Sequence, residues 1–283
     1  MALPILVGVD GSTPSLAAAD WAAAEASLTG TPVRLLFVYW VLPDGEPLPA
    51  GNDRLQAEAV QMLTRTAEEL RARYPGLQVD HKLVTGNATT QLLHAADRGG
   101  TLVVGSRGTG GFAAMLLGST ALGIAARTEH PVVLVRADDS RRPQHEVVLG
   151  LEPGPDRSPV VEFALAQAER RGAPLRVLHA WMPPILWMAG PVPPGQAERT
   201  AVQNAVEQEL RDLVLPLAAK HPDLEVRFDT HAGSAAHAIV DAANHAELLV
   251  LGRRRSRPVS ALGPVTHAAI HYGHSPIAVV PHS

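Results

Sequence analysis

The stretch GSRGTGGFAAMLLGST, residues 105 to 120, lies between the apolar run TLVV and a helical pattern that begins near Ser119. Four of its first seven residues are glycine, the residue that loses most conformational freedom on ordering, so the stretch implies a need for bare backbone. Its spacing is Gly105, two residues, Gly108, nine residues, Gly118, then Ser119. A strand that stops at Val104 and Gly105, followed by a helix from near Ser119, directs loop and first-turn N–H groups at one spot. Those orphan donors and the positive end of the helix dipole make an anion site that glycine lets a phosphate approach. Ser119 and Thr120 add hydroxyls at the cap. The plain alternative is a glycine-rich turn before a capped helix, with no ligand.

The spacing is neither a Walker A loop nor the GxGxxG of a dinucleotide fold, and the only lysines, Lys82 and Lys220, lie outside it. Phosphate charge then falls to backbone amides, to Arg107 if it turns inward, and to a divalent ion such as magnesium.

The elements that must position this loop alternate regularly. Short β-branched runs, PILVGV, VRLLFVY, LQVDHKLV, TLVVGS and VVLVR, are separated by alanine-rich helical patterns from about Ser15 to Leu28, Asp53 to Arg73, Ala88 to Asp97 and Ser119 to Arg127. Continuous apolar strands between helices predict an α/β fold, an open and mainly parallel five-stranded sheet with helices on both faces. The chain then repeats itself. TGNATTQLLHAADRGGTLVVGS from Thr85 aligns without a gap on AGSAAHAIVDAANHAELLVLGR from Ala232, at an offset of 147 residues. ILVGVDGS pairs with VVLGLEPG, PVRLLFVYW with PLRVLHAW, and HPVVLV with SPIAVV. A period of domain size excludes a solenoid and predicts two tandem copies, residues 1–138 and 145–283, divided within the unpatterned RADDSRRPQHE.

With these motifs the chain resembles a tandem universal stress protein, because G-x2-G-x9-G-[ST] is that family's nucleotide signature and both halves follow its strand and helix order. The resemblance implies a Rossmann-like, adenine nucleotide-binding fold. It implies ATP, with Mg2+, in the first copy: Asp10 in VGVDGS on the nucleoside with Gly11 and Ser12 beside it, Val38 contacting adenine through its backbone, and Gly105, Gly108, Gly118, Ser119 and Thr120 around the phosphates. Gly86, in TGNA, lines the same cleft. It also implies internal pairing of the two domains or a homodimer, and a protein partner that responds to the nucleotide. Asp10 has an independent rationale as a carboxylate at a strand end suited to ribose hydroxyls, and an independent alternative as the N-cap of the first helix.

The second copy departs from the signature. Gly252 and Gly263 persist in GRRRSRPVSALGPVT, but Arg255 stands for the second glycine, Pro264 for the serine, and the loop is seven residues rather than nine. Pro264 removes a donor while suiting a first helical turn. Glu152 stands for Asp10, with Pro153 after it. This copy is expected to keep the fold and not to bind ATP in the family's manner. Arginines 253, 254, 255 and 257 either fill the vacated anion pocket, bind another anion, or form a solvated edge.

His267, His271 and His274 have partly metal-like spacing without an acidic companion, which favours surface or capping roles. The proline-rich loops YWVLPDGEPLPAG and WMPPILWMAGPVPPG, the latter with Trp181 and Trp187, read as packing segments more readily than as lids. Of the 283 residues 46% are hydrophobic and 18% charged, a soluble globular balance, and the net charge of -4 argues against a nucleic-acid partner. No cysteine is present, which excludes disulfides and thiolate chemistry. Without a signal-like start or an apolar run of spanning length, the expected location is the cytoplasm, with no membrane partner. The leading function is nucleotide-dependent regulation without catalysis, or with slow ATP hydrolysis at most. The alternatives are an interaction scaffold that holds no nucleotide and a nucleotide-handling transferase, the second disfavoured because GVDGSTPS is a poor match to an adenylating loop.

Overall fold

The computed structural model describes residues 3–39, 52–97, 100–106, 118–137, 143–182, 195–255 and 262–283. The chain divides into two compact units, one on its first five strands and one on its last five. In the first unit the order is β1 Ile5–Gly8, α1 Thr13–Thr29, β2 Val33–Tyr39, α2 Asn52–Arg73, β3 Val79–Thr85, α3 Ala88–Ala96, β4 Leu102–Gly105, α4 Ser119–Arg127 and β5 Val132–Val135. The strands lie in the order β3-β2-β1-β4-β5, and every pairing between them is parallel. The second unit has β6 Val147–Gly150, α5 Ser158–Arg171, β7 Leu175–Trp181, α6 Gln196–Ala218, β8 Val226–Ala232, α7 Ala235–His245, β9 Leu248–Arg254, α8 Pro264–Tyr272 and β10 Ile277–His282. Its strands take the equivalent order β8-β7-β6-β9-β10, again all parallel.

Helices cover both faces of each sheet, so the central strands show no polar alternation. Consecutive residues of a strand point to opposite faces, and Leu102 with Val103, and Val132 with Val133, are all fully buried. So are Val147, Val148 and Leu149 in the second unit. The first unit's sheet packs α1 and α2 on one face and α3 and α4 on the other. Helix α1 reaches the sheet through Ala18, Ala19, Ala22, Ala23 and Ala26, all fully buried, so its backbone can sit close to the strands. Strand β3, at the edge of its sheet, instead carries exposed Asp80, His81 and Lys82, charge that discourages a further strand from adding there.

Gly105 shows how close that approach is. A Cβ built on it lies 2.7 Å from the Pro14 carbonyl carbon and 2.7 Å from the Ser15 nitrogen, so the end of β4 is pressed against the first turn of α1. Backbone on both sides leaves nothing flexible to yield. Gly105→Ala is therefore expected to lower stability by about 1–3 kcal/mol, as overpacking does, in urea unfolding of the full chain. An unchanged midpoint would show that α1 shifts without cost.

Candidate functional site

The connections from β1 and β4 leave in opposite directions, α1 toward β2 and α4 toward β5. Neighbouring strands therefore part at their carboxyl ends, the place where open α/β sheets hold ligands. Gly105 follows Val104, which stands beside Gly8 in the β1–β4 register, so the ends of both strands open on the same crevice.

On the β1 side a network of short polar contacts fixes the turn into α1. Asp10 N–H donates to Ser15 Oγ at 3.2 Å, and Asp10 Oδ1 accepts from Ser12 N–H at 3.0 Å and from Ser12 Oγ at 2.6 Å. Ser12 Oγ accepts in turn from Ser15 N–H at 3.3 Å. Ser12 is thus the N-cap, and α1 begins at Thr13 rather than near Ser15. Asp10 is not the cap itself; its half-buried carboxylate orients the residue that is. Gly11 between them has φ +81, a conformation that favours glycine.

On the β2 side the peptide groups of Val38 face the crevice. The β1–β2 ladder ends where Val9 N–H donates to Leu36 O at 2.9 Å, and Tyr39 O turns the other way to accept from Gly86 N–H at 2.9 Å. Successive residues of an interior parallel strand address opposite neighbours, so Val38 N–H and C=O point toward β1, beyond its last rung. Among the described residues neither has a backbone partner. Gly86, at φ +128, carries the chain from β3 into α3, whose N-cap Asn87 accepts from Thr90 N–H at 3.1 Å. A Cβ on Gly86 would sit 2.9 Å from Gln91 Nε2, so the Gln91 amide lies over the same strand end.

On the β4 side Ser106 N–H donates to Val135 O at 2.7 Å, and Ser106 O accepts from Gly118 N–H at 2.8 Å. That second bond brings together the two ends of the signature. Arg107 and Gly108 lie outside the described residues. Gly118 is the N-cap of α4 in extended conformation, φ -78 and ψ 143, with no side-chain cap bond, whereas α1 and α3 are capped by Ser12 and Asn87. The first-turn donors from Ser119 onward are left to whatever approaches a glycine. Ser119 is exposed and Thr120 half-buried. Ser106, which falls between signature positions and so carries no motif, is buried with a hydroxyl that has no hydrogen-bond partner among the described residues. Its only sequence signal is a polar side chain immediately after an apolar strand.

The second unit ends its strands differently. Strand β9 does not turn at Gly252 but continues through Arg253 and Arg254, which pair with Pro281 and His282 of β10. The Arg157 side chain, 5% exposed, fills the corresponding reversal point. Its Nε donates to Glu152 O at 3.1 Å, its Nη2 lies 3.6 Å from Glu152 Oε2, and its Nη1 lies 2.9 Å from His282 Nδ1 and 3.1 Å from Nε2. Burial, and then the charge of Arg254, lower the Arg157 guanidinium below its ordinary range, against the attraction of Glu152 and Asp156. Arg157 is the N-cap position of α5, where the first copy has Ser12. Residue spacing points to arginines 253 to 257 for a replacement cation and misses this one, whose signal is a basic residue immediately before Ser158-Pro159. Arg257 lies outside the described residues, as do Trp187 and most of both proline-rich loops.

Among the described residues no group of three or more His, Asp or Glu side chains is placed to hold a metal ion. The rings of His267 and His271 stack instead, with centroids 4.3 Å apart. No described helix is long and apolar enough to cross a membrane.

Two open parallel sheets of equivalent strand order, each with its reversal point between the first and fourth strands, define a tandem α/β protein of the nucleotide-fold type. The model of the universal stress protein family matches residues 1–136 and again 145–281, and the chain belongs to that family. It is 28% identical over 292 residues to a universal stress protein of Mycolicibacterium smegmatis, covering 98% of this chain and 96% of that one. It is likewise 28% identical over 291 residues to one of Mycobacterium tuberculosis, covering 97% and 96%. The crystal structure of a universal stress protein from Archaeoglobus fulgidus superposes with a TM-score of 0.73 at 18% identity, covering 99% of this chain and 96% of that one, so the tandem fold is shared.

His282 makes the second unit sensitive to acid. Its burial lowers its proton affinity; the hydrogen bond to Ser283 O opposes this, and Arg157, Arg254 and Arg253 add to the lowering. Unfolded, the ring titrates near 6.5, so the unfolded chain binds the proton more readily and the folded chain loses stability as pH falls below that value. Urea midpoints at pH 7.5 and 5.5 should differ, and His282→Gln should narrow the difference. An equal difference in both proteins would remove His282 from the acid response.

Proposed function

We propose that the first copy binds ATP in the crevice between β1 and β4, and that this bound state, rather than turnover of the nucleotide, is what the protein contributes to a stress response in the cytoplasm. The observation that carries the reading is the open peptide of Val38 facing the same crevice as the uncapped start of α4. Adenine presents an N6 donor beside an N1 acceptor, which suits a C=O and an N–H on one side of one residue. Guanine presents an acceptor and a donor in the reversed places, so a fixed peptide discriminates against it. The Asp10 carboxylate, held by Ser12, would accept from the ribose hydroxyls. Phosphates then reach Gly118, Ser119 and Thr120, where first-turn amides and the helix dipole favour negative charge. The donor set suits phosphate oxygens, and magnesium would be held mainly by those phosphates and water, as that ion prefers few protein ligands.

In this reading ATP joins elements that the sheet alone leaves apart: the β2 end through the base, the β1 turn through the ribose, and the β4–α4 junction through the phosphates. A ligand that makes those contacts in one arrangement only shifts the chain toward it, and a partner can read that arrangement. In the second copy Gly263 likewise starts α8 without a cap bond, but Pro264 removes a first-turn donor and the Arg157 guanidinium occupies the crevice, so one nucleotide per chain is the expected stoichiometry.

Calorimetry of the full chain with ATP and magnesium tests this: one site is expected, with GTP binding weaker. Gly118→Val is the decisive variant, because valine readily adopts the extended backbone of that position. The variant should fold, with the affinity for ATP reduced about tenfold or more. Unchanged affinity would refute the phosphate position, and no binding by the folded parent would return the chain to the scaffold reading.

A further inference from the structure

The carboxyl end of the second sheet gathers cations on one face. His282 and Arg254 occupy the same rung of the parallel β9–β10 ladder, so their side chains leave the sheet on the same side. Gly252, two residues before Arg254, also points there, since a Cβ on it would touch the His282 ring at 3.0 Å. The Arg157 guanidinium comes down on that face from the start of α5 and meets the same imidazole. The facing acidic groups are few. Glu152, with its side chain 78% exposed, stands 3.6 Å from Arg157, and Asp156 acts on it from the same loop. Arg254 makes no ion pair with any described residue. Arg253, one residue earlier, leaves the sheet on the opposite side and adds its charge from there. Among the described residues a buried guanidinium, a second guanidinium and a histidine therefore share one face, with one solvent-exposed side-chain carboxylate in contact and the Ser283 oxygen on the imidazole.

We propose that Arg157, Arg254 and His282 form a site for a tetrahedral oxyanion, either inorganic phosphate or the terminal phosphoryl group of a larger molecule. Guanidinium groups present paired donors to such an anion, which is how side chains do the work that glycine backbone and a helix start do elsewhere. The imidazole supplies a third donor on protonation. Arg157 Nη1 lies nearly equidistant from the two ring nitrogens, over the imidazole face, and with Nδ1–H donating to Ser283 O at 2.7 Å it is Nε2 that is left to take up a proton. An arriving dianion takes over the guanidinium and draws a proton to Nε2, so an oxyanion that stays dianionic binds more tightly as the pH falls from 7.5 toward 6. This site is independent of nucleotide binding in the first copy.

The test is calorimetry of the full chain with inorganic phosphate at constant ionic strength, on the parent, Gly118→Val, Arg254→Gln and His282→Gln. Arg254 is exposed, so its replacement should not disturb folding. Saturable binding is expected in the parent and in Gly118→Val, and about tenfold or more weaker in Arg254→Gln; sulfate, which keeps its charge over this pH range, should bind the parent more tightly at pH 6 than at pH 7.5 and bind His282→Gln equally at both. Absence of saturable binding by the folded parent would overturn the site, as would equal affinity in Arg254→Gln or a loss confined to Gly118→Val. AMP binding to Gly118→Val no tighter than phosphate would identify the free ion as the ligand. Tighter AMP binding, again lost with Arg254→Gln, would support the same site and identify a phosphoryl group on a larger molecule.

Discussion

The shortness of β1 is the constraint on which the first unit depends. Four residues, Ile5 to Gly8, pair on one side with β2 and on the other with β4, and then the strand stops while β2 runs on to Tyr39. Stopping there has two consequences. It leaves the Val38 peptide beyond the last rung, and it lets α1 begin at Thr13, close enough that its first turn rests on Gly105. A longer β1 would satisfy Val38 and push α1 away from β4, closing the crevice from both sides. The Asp10–Ser12–Ser15 hydrogen bonds fix that stopping point, because they hold the turn that a continuing strand would need to straighten.

In the second unit the strand ends around the crevice change while the sheet does not. β6 is as short as β1, and Leu151 N–H donates to Leu178 O as Val9 does to Leu36. Yet β9 continues past Gly252, and the start of α5 is reached through a longer loop with Gly154 at φ 153 and Asp156 at φ 59. The added length carries Arg157 to the point from which it reaches back over the strand ends. The Leu151 carbonyl is taken by His179 Nδ1 at 2.8 Å, so this side of the junction is also occupied by a side chain. Equivalent sheets thus differ by what is added at the junction, since Gly263 starts α8 uncapped as Gly118 starts α4, while the second unit alone brings Pro264 and cationic side chains to that end.

Most of the architecture was legible because it rests on local patterns repeated in each copy. Apolar runs such as VVLV have no polar face, which requires a sheet covered on both sides, and the ungapped match between the halves made a second sheet of the same order the natural expectation. Helix starts were less legible. The pattern of buried alanines in α1 has no sharp beginning, and its first residue is set by Ser12, whose capping geometry depends on Asp10 two residues earlier. The filling of the second crevice was not legible at all in residue spacing. Arg157 acts on His282 across 125 positions, and only the order of the strands brings them together.

The glycines themselves divide by physical cause. Gly105 is small because the backbone of Pro14 and Ser15 occupies the place of a side chain, and it would be required there with or without a ligand. Gly11 and Gly86 are required by positive φ. Gly118 has no positive φ: its backbone is extended, a conformation open to any residue, and as an N-cap it forgoes the hydroxyl or carboxylate that serves α1 and α3. Glycine in that place costs a helix only about a few tenths of a kcal/mol relative to a hydroxyl or carboxylate cap. Of the four, Gly118 is the one that neither a positive φ nor a described close contact requires.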